Sequence, residues 1–374
     1  MDKKITLIYG FRNRDIQRVQ RSLHSLSTQT KKEFNVIFLD YGSDESVSNE
    51  VKNILKNYSF EKYVYNDTRG MPWNRSHALN SGIQLSETNF VFTADIDMIF
   101  KNNFIEKLES LANDNTVTFF QVYYLPEKFS DWESMGSKTF EASKKFALGL
   151  ALLPVKIINE IRGYDEFYCF WGMEDNDLEH RLKSTGVKTN FFDKEVLMYH
   201  QWHLPSILSD KEFPESWAVF QNDYFNSKAG IVKRNDDREW GKIFLENERQ
   251  SVKMINDPLT KFKVMQRSTS FFTYELNRQF KNLISQETLC FEFNDVHSDT
   301  HLKSGLGKSI SFFQKICDKI KIPVKLVSQY RHLFTTVYEI RDEAMLFILA
   351  HQAEISDYSI SIFDKKLKLV IFKK

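Results

Sequence analysis

Four short apolar runs in the first hundred residues, separated by helix-like patterns, limit the possible folds more than any other feature. The runs are Ile5-Thr6-Leu7-Ile8-Tyr9, Phe34 to Asp40, Tyr63-Val64-Tyr65 and Phe90-Val91-Phe92-Thr93-Ala94. They have strand length and are largely apolar on both faces, as strands of a covered sheet are. Ile16, Val19, Leu23 and Leu26 recur at helical spacing after the first run. Val47, Val51, Ile54 and Leu55 do so after the second, and Trp73 to Ile83 forms a third helical stretch with a stop at Gly82. This alternation predicts an α/β fold, a mostly parallel sheet with helices on both faces. Ligands of such sheets sit beyond the carboxyl ends of the strands. Phe11-Arg12-Asn13-Arg14, Asp40 and Asp95-Ile96-Asp97 all fall at such ends.

Further along, Val117 to Leu125 reads as a strand, Phe146 to Pro154 as another apolar run, and Pro154 to Arg162 as a short helix. Val196 to His203 reads as a strand ending in two histidines. The composition changes after about Leu204, and residues 213–256 are charged and helical in pattern. A second alternation follows, with strands at Leu289–Phe293 and Val324–Val327 and helices at Ser309–Ile320 and Thr335–Ala353. The last two runs, Tyr358 to Phe363 and Leu367 to Phe372, are joined by Asp364-Lys365-Lys366 as a hairpin. The expected organisation is a catalytic domain over 1–210, a helical linker over 211–257, and a smaller C-terminal α/β domain over 258–374. That last domain would dock an acceptor or partner, or else complete the first core.

With 374 residues and 42% apolar side chains, the chain can build more than one core. Lysine and arginine (51) balance aspartate and glutamate (50), so no overall field draws it to nucleic acid or a bulk membrane surface. Cys169, Cys290 and Cys317 are far apart and odd in number, which excludes a disulfide framework and suits a reducing compartment. The sequence opens directly on a strand-like run, and no apolar run approaches the ~18 residues of a membrane span. A soluble cytoplasmic protein is expected, with peripheral membrane association left open.

Chemistry concentrates in three places. Phe170 to Leu182 packs Trp171, Gly172, Glu174, Asp175, Asn176 and Asp177 into one short stretch. Leu178 and Leu182 give it a buried helical stripe, and the acids occupy the first turn, where the helix dipole favours them. The ordinary alternative is an acidic helix start with Asp177 and Arg181 paired four residues apart. Asp95 and Asp97, two apart on an expected strand, would point the same way and repel unless Mn2+ or Mg2+ neutralised them; the ordinary alternative is a pair of turn-capping aspartates. His200, more than His203, could complete such a shell; either could instead be a satisfied structural histidine. Arg12, Arg14 and Arg75 carry planar forks suited to phosphate or a base edge, or are plain surface arginines. Ser304-Gly305-Leu306-Gly307-Lys308-Ser309 fails as a phosphate loop, because the required first glycine falls on Leu302.

Taken together, residues 4–205 resemble the GT-A glycosyltransferases, closest to the β-1,4-galactosyltransferase and chondroitin-polymerase-like group within the broad family 2. Phe11-Arg12-Asn13-Arg14 is similar to the family's uridine-contacting segment. Trp73-Asn74-Arg75-Ser76 with Asn80 and Gly82 is similar to its Phe-Asn-Arg-Ala…Asn-x-Gly. Asp95-Ile96-Asp97 is similar to its DxD metal motif, and Gly163-Tyr164 with Trp171 to Asp177 to its Gly-Phe…Trp-Gly-Gly-Glu-Asp-Asp-Asp. Met198-Tyr199-His200 resembles the segment that supplies the histidine ligand. Met173 and Asn176 depart from that pattern, and the resemblance does not extend to 258–374. The resemblance implies inverting transfer of a hexose or N-acetylhexosamine from a UDP-sugar to a glycan or glycolipid hydroxyl, in bacterial polysaccharide synthesis. It implies Asp175 as base, with Glu174 as the alternative base if Asp175 merely caps the helix, and Glu174 and Asn176 as acceptor contacts, with Trp171 serving donor and acceptor. Phe11, Arg12, Arg14, Asp40, Trp73, Arg75, Asp95 and Gly172 would line the donor site. Asp97, His200 and Asp95 would hold the cation. A metal-dependent phosphotransferase using Asp95, or a non-catalytic glycan-binding module, are the rival readings.

Overall fold

A sheet whose strands are apolar on both faces must be covered twice, and the first half of the chain does this. The computed structural model describes residues 5–59, 61–131, 135, 138–145, 148–204, 216–235, 239–265, 269–294, 316, 319 and 336–374. In order, β1 (Ile5–Phe11), α1 (Ile16–Ser27), β2 (Asn35–Asp40), α2 (Glu45–Leu55), β3 (Glu61–Tyr65), α3 (Arg75–Leu85) and β4 (Phe90–Ala94) follow the expected alternation. Then come β5 (Met98–Phe100), α4 (Phe104–Leu111), β6 (Thr116–Phe120), β7 (Tyr123–Tyr124), β8 (Glu141–Ala142), β9 (Ala151–Pro154) and α5 (Val155–Glu160). They are followed by α6 (Glu174–Ser184), β10 (Lys188–Phe192), β11 (Met198–His200) and α7 (Trp217–Ser227).

The main sheet has seven strands in the order β10-β6-β9-β4-β1-β2-β3. All neighbours are parallel except β9, which runs against both β4 and β6. One apolar layer packs Leu7, Tyr9, Phe38, Phe92 and Phe104. The other packs Ile8, Val91, Leu153, Leu178 and Leu182. Successive strands step from β1 to β2 to β3, and the next, β4, returns to the far side of β1. That reversal opens a crevice at the ends of β1 and β4, the place where doubly wound sheets take ligands. A small second sheet, β5-β11-β7-β8, stands at this end.

The chain divides into two compact units. One contains residues up to 246 except 69–71 and 214–217; the other contains those two short segments and residues 247–374. In the second, α8 (Gln250–Asn256), β12 (Lys263–Met265), α9 (Thr269–Asn282), β13 (Thr288–Asn294), α10 (Val337–Ala350), β14 (Ile355–Phe363) and β15 (Lys366–Lys373) appear in turn. Its four-stranded sheet runs β12-β13-β15-β14 and shares a core of Phe272, Phe280, Phe291, Ile340, Phe347 and Leu369 with α9 and α10. The β14–β15 hairpin turns through Asp364 and Lys365, both at positive φ, the conformation that matches strand twist in a two-residue turn. The expected helix at 309–320 and strand at 324–327, Cys317 and the 304–309 segment lie outside the described residues. The charged region 213–256 is helical only at α7 and α8 among the described residues.

Candidate functional site

Asp95 and Asp97 do not lie on a strand. β4 ends at Ala94 and the chain turns before β5 begins at Met98. The turn sends the two carboxylates to different partners, contrary to the strand-based expectation that they point together.

Asp97 meets histidines. β5 and β11 are antiparallel, with Met98 opposite His200, and the Gln201 amide donates to the Asp97 carbonyl at 3.0 Å. This register brings His200 Nε2 to 3.6 Å from Asp97 Oδ1, and His203 Nε2 to 3.0 Å from Asp97 Oδ2. One ligand atom from each of the three residues fits within a 4.8 Å cluster. Asp97 Oδ1 is shielded from solvent without a hydrogen-bond partner. Burial alone would raise the Asp97 carboxyl, but His200, His203 and Arg18 outweigh it and hold the group below its ordinary value. The bond to Asp97, against burial, pushes the His203 imidazole up. His203 Nδ1 lies 2.7 Å from the Leu204 carbonyl; donating there leaves Nε2 as the ligand atom. The sequence favoured His200, yet the structure brings both histidines together. His203 follows β11 in a loop, so no strand periodicity marked it.

Asp95 instead faces Arg75, at the first position of α3. Arg75 Nε donates to Asp95 Oδ1 at 3.0 Å, with Nη2 2.9 Å from the same oxygen. Nη2 also donates to the Gly149 carbonyl at 2.5 Å, while Nη1 stands 3.9 Å from Glu174 Oε1. Burial disfavours the guanidinium charge, and Asp95 and Glu174 more than offset it. Asn74 caps α3 by accepting from the His77 amide at 2.8 Å and donates to the Glu166 carbonyl at 2.8 Å. Asn80 grips Tyr164 in both directions, at 2.8 and 2.9 Å. The Asn…Asn-x-Gly pattern thus docks α3 against the segment that leads into the acidic helix.

That segment is tightly bent. Phe170, Gly172 and Met173 all have positive φ, and a side chain at Gly172 would meet the Gln221 amide. Trp171 is 58% exposed. Helix α6 starts at Glu174 with no side-chain cap, and Glu174, Asp175 and Asp177 fall in its first turn, where the dipole favours negative charge. Asn176 is exposed. Burial first, then Asp175, pushes the Glu174 carboxyl up to about 7, with Arg75 opposing. Burial also raises Asp175, against Arg75 and the Asn176 amide. Asp177 is fully buried and takes Arg181 Nε at 2.6 Å, the i,i+4 pair of the ordinary alternative.

At the β1 and β2 ends, Arg12 and Arg14 are part-exposed on the loop after β1. Asn13, at φ 48°, ties this loop to the β2–α2 turn through Ser43 Oγ (3.0 Å) and the Asp44 amide (2.8 Å). Phe11 lies in the core against Phe38. Asp40 is enclosed, accepting from the Ser43 amide, the Ser48 hydroxyl and the Tyr63 hydroxyl at 2.9, 2.6 and 2.8 Å. These two shape the edge from beneath. Trp73 packs edge-on to Tyr41, ring centres 5.5 Å apart, and its carbonyl accepts from the Phe170 amide at 2.6 Å.

Residues 6–164 match the family model Glycosyl transferase family 2, and residues 136–203 match that of the N-terminal domain of galactosyltransferase. Over these residues the chain is similar to the family 2 glycosyltransferases. Among solved structures, the mannosyltransferase PcManGT from Pyrobaculum calidifontis, in complex with GDP-Man and Mn2+, is 14% identical. That match covers 55% of this chain and 58% of that one, with TM-score 0.41. S. aureus TarS 1-349, in complex with UDP, is 13% identical over 97% of this chain and 95% of its own, with TM-score 0.45. The catalytic domain of Drosophila β1,4-galactosyltransferase 7, in complex with xylobiose, is 13% identical over 55% and 72%, with TM-score 0.38. No helix among the described residues is long and apolar enough to cross a membrane.

Proposed function

We propose that this glycosyltransferase moves a hexose or N-acetylhexosamine of galactose type from a UDP-sugar to a glycan hydroxyl, with inversion. The observation that carries the reading is a division of labour around one arginine. Asp97, His200 and His203 cluster on one side, Glu174 and Asp175 lie on the other, and Arg75 touches Asp95 and Glu174. One carboxylate and two imidazoles, with Asp97 Oδ1 buried and unpaired, fit a Mn2+ or Mg2+ ion. Such an ion, when bound, supplies positive charge for the departing diphosphate. Arg12 and Arg14 hold the nucleotide end, on a loop pinned by Asn13. Trp73, Phe11 and Asp40 support that edge, and Arg75 orients Asp95 toward the donor.

Asp175 is the base that takes the acceptor proton, since inversion needs one carboxylate on the acceptor side. Glu174, its carboxyl raised to about 7, contacts the acceptor beside Asn176, and exposed Trp171 offers a face for a sugar ring. Gly172, at φ 107° and with Gln221 where a side chain would lie, allows the sharp turn that presents Trp171. Residues 247–374 act as an accessory unit for acceptor or partner docking. A setting in bacterial polysaccharide synthesis, in the cytoplasm, rests on the sequence resemblance alone.

The test is a donor screen that measures nucleoside diphosphate release from UDP-, GDP- and CMP-sugars with and without Mn2+, for the unaltered chain and Asp97→Ala. Release from UDP-sugars that needs Mn2+ and vanishes in Asp97→Ala is expected. Release indifferent to both, or equal from GDP-sugars, refutes the assignment.

A further inference from the structure

Both family matches end by residue 203, yet the stretch 217–235 reaches the acidic turn from behind. The Gln221 amide sits 3.2 and 3.4 Å from where a Gly172 Cβ would lie. The Tyr224 ring stacks on Phe167, centres 3.4 Å apart and nearly coplanar at 6°, and its hydroxyl donates to Asp165 Oδ2 at 2.9 Å. Arg234 goes deepest. Its Nη2 donates to Asp177 Oδ1 at 3.0 Å, and its Nε pairs with Asp165 Oδ2 at 2.9 Å by charge, without hydrogen-bond alignment. Arg181 holds the other Asp177 oxygen and donates to the Gly163 carbonyl at 2.9 Å. Arg234 is itself fixed by the Lys228 and Ile231 carbonyls. Asn235 donates to the Arg162 and Tyr164 carbonyls, both at 2.8 Å. The four charged side chains Asp165, Asp177, Arg181 and Arg234 are each at most 3% exposed, and their charges cancel.

We propose that Arg234 is a positioning residue that ties Asp165 to Asp177 and thereby fixes where α6 presents Glu174 and Asp175. This rests on those two acids being the catalytic turn. The start of α6 has no side-chain cap and begins from a left-handed Met173, so its own backbone does little to hold it. Asp177 sits in its first turn, two residues from Asp175, and is anchored from the buried side. The Glu174 carboxyl feels chiefly burial, Asp175 and Arg75, and the Asp175 carboxyl chiefly burial, Arg75 and the Asn176 amide. Arg234 therefore works by placement, and a lysine, which keeps the charge and loses the fork, cannot replace it.

The experiment compares the unaltered chain with Arg234→Lys and Arg234→Met. Three quantities are read: kcat for transfer from a UDP-sugar, affinity for UDP with Mn2+ by calorimetry, and amide hydrogen exchange at 174–178 against β1. In Arg234→Lys, kcat should fall roughly 10- to 100-fold, the scale of a small misplacement of reacting groups. UDP affinity should stay within about twofold, since the fork touches neither the cation cluster nor the β1 loop. Exchange should quicken at 174–178 and stay unchanged in β1. Unchanged kcat and exchange overturn the proposal. So does a uniform rise in exchange with UDP affinity lost in parallel, which marks a general structural role. If the arginine variants do not fold, Asp165→Asn removes the charge at the other end of the clamp and is held to the same readings. An unaltered chain that transfers no sugar counts against the function proposed above, while the exchange difference still decides the clamp.

Discussion

Glu174→Gln should make the protein more stable at pH 8 and not at pH 4.5. The Glu174 carboxyl is raised from an ordinary 4.5 to about 7, first by burial and then by Asp175. Only 13% of its side chain is exposed, so solvent screens little of this. Below pH 4.5 the group is protonated in both the folded and the unfolded chain and contributes nothing. Between 4.5 and 7 the folded chain keeps a proton that the unfolded chain has lost, so stability falls as pH rises. Above 7 the full cost stands, about 3 kcal/mol at 1.36 kcal/mol for each pH unit. The favourable pull of Arg75 is already inside that figure, because it acts on the same ionisation. Glutamine copies the protonated shape and removes the cost. Urea unfolding of both proteins at pH 4.5 and pH 8 measures the difference directly. A gain of about 3 kcal/mol at pH 8 with near equality at pH 4.5 is expected. A variant less stable at pH 8, or a difference independent of pH, would refute the view that Glu174 is an ionisation held under strain. Transfer should survive in Glu174→Gln to within about tenfold if Asp175 is the base.

Asp175→Asn should lower transfer by roughly 10²–10⁴-fold, with calorimetric UDP affinity unchanged, because it removes the base and leaves the cation cluster intact. Loss of stability alone, with transfer retained, would make Asp175 a helix-start residue only. Gly82→Ala should lower the melting temperature by crowding β1, since its Cβ would lie 2.3 Å from Ile8 Cγ2. Overpacking costs about 1–3 kcal/mol, and alanine's helix preference returns up to ~1 kcal/mol; an unchanged melting temperature would show that Ile8 moves freely aside.

The main sheet was legible because its strands carry one signal repeated four times, apolar residues on both faces and a polar break. β9 shows the limit of that signal. Leu152 and Leu153 mark it as buried, but strand direction is decided by which neighbours a chain meets, and composition carries no trace of it. The small sheet was less legible still: β7 and β8 have two residues each, too few for any period. Its effect on the site is large, because the β5–β11 register sets Asp97 against His200 and His203. The candidate residues were readable as types, not as partnerships. Asp95 and Asp97 looked like one pair because a strand was assumed; a turn at 95–97 makes them two sites. Arg234 could not be found at all, since a lone arginine 57 residues after Asp177 has no local pattern to announce it.

Arg75 explains why the two halves of the site need one another. Its side chain is nearly enclosed, so its charge must be met from within, and it has two acids to choose from. Asp95 takes Nε and Nη2 at bonding distance; Glu174, at 3.9 Å from Nη1, is left as the weaker partner. That inequality leaves the Arg75 Nη1 nitrogen without a hydrogen bond, and the distant guanidinium does not cancel burial and Asp175, which raise the Glu174 carboxyl to about 7. A group entering between them would meet an unused donor on one side and, below pH 7, a protonated carboxyl on the other. Both can bond a neutral hydroxyl or an anion without new charge being buried. Were Arg75 shared equally, Glu174 would ionise more readily and a second carboxylate would stand beside Asp175. The turn at 95–97, by giving Asp95 to Arg75 and Asp97 to the histidines, keeps one side of the crevice ready for a cation and the other poised near neutral charge.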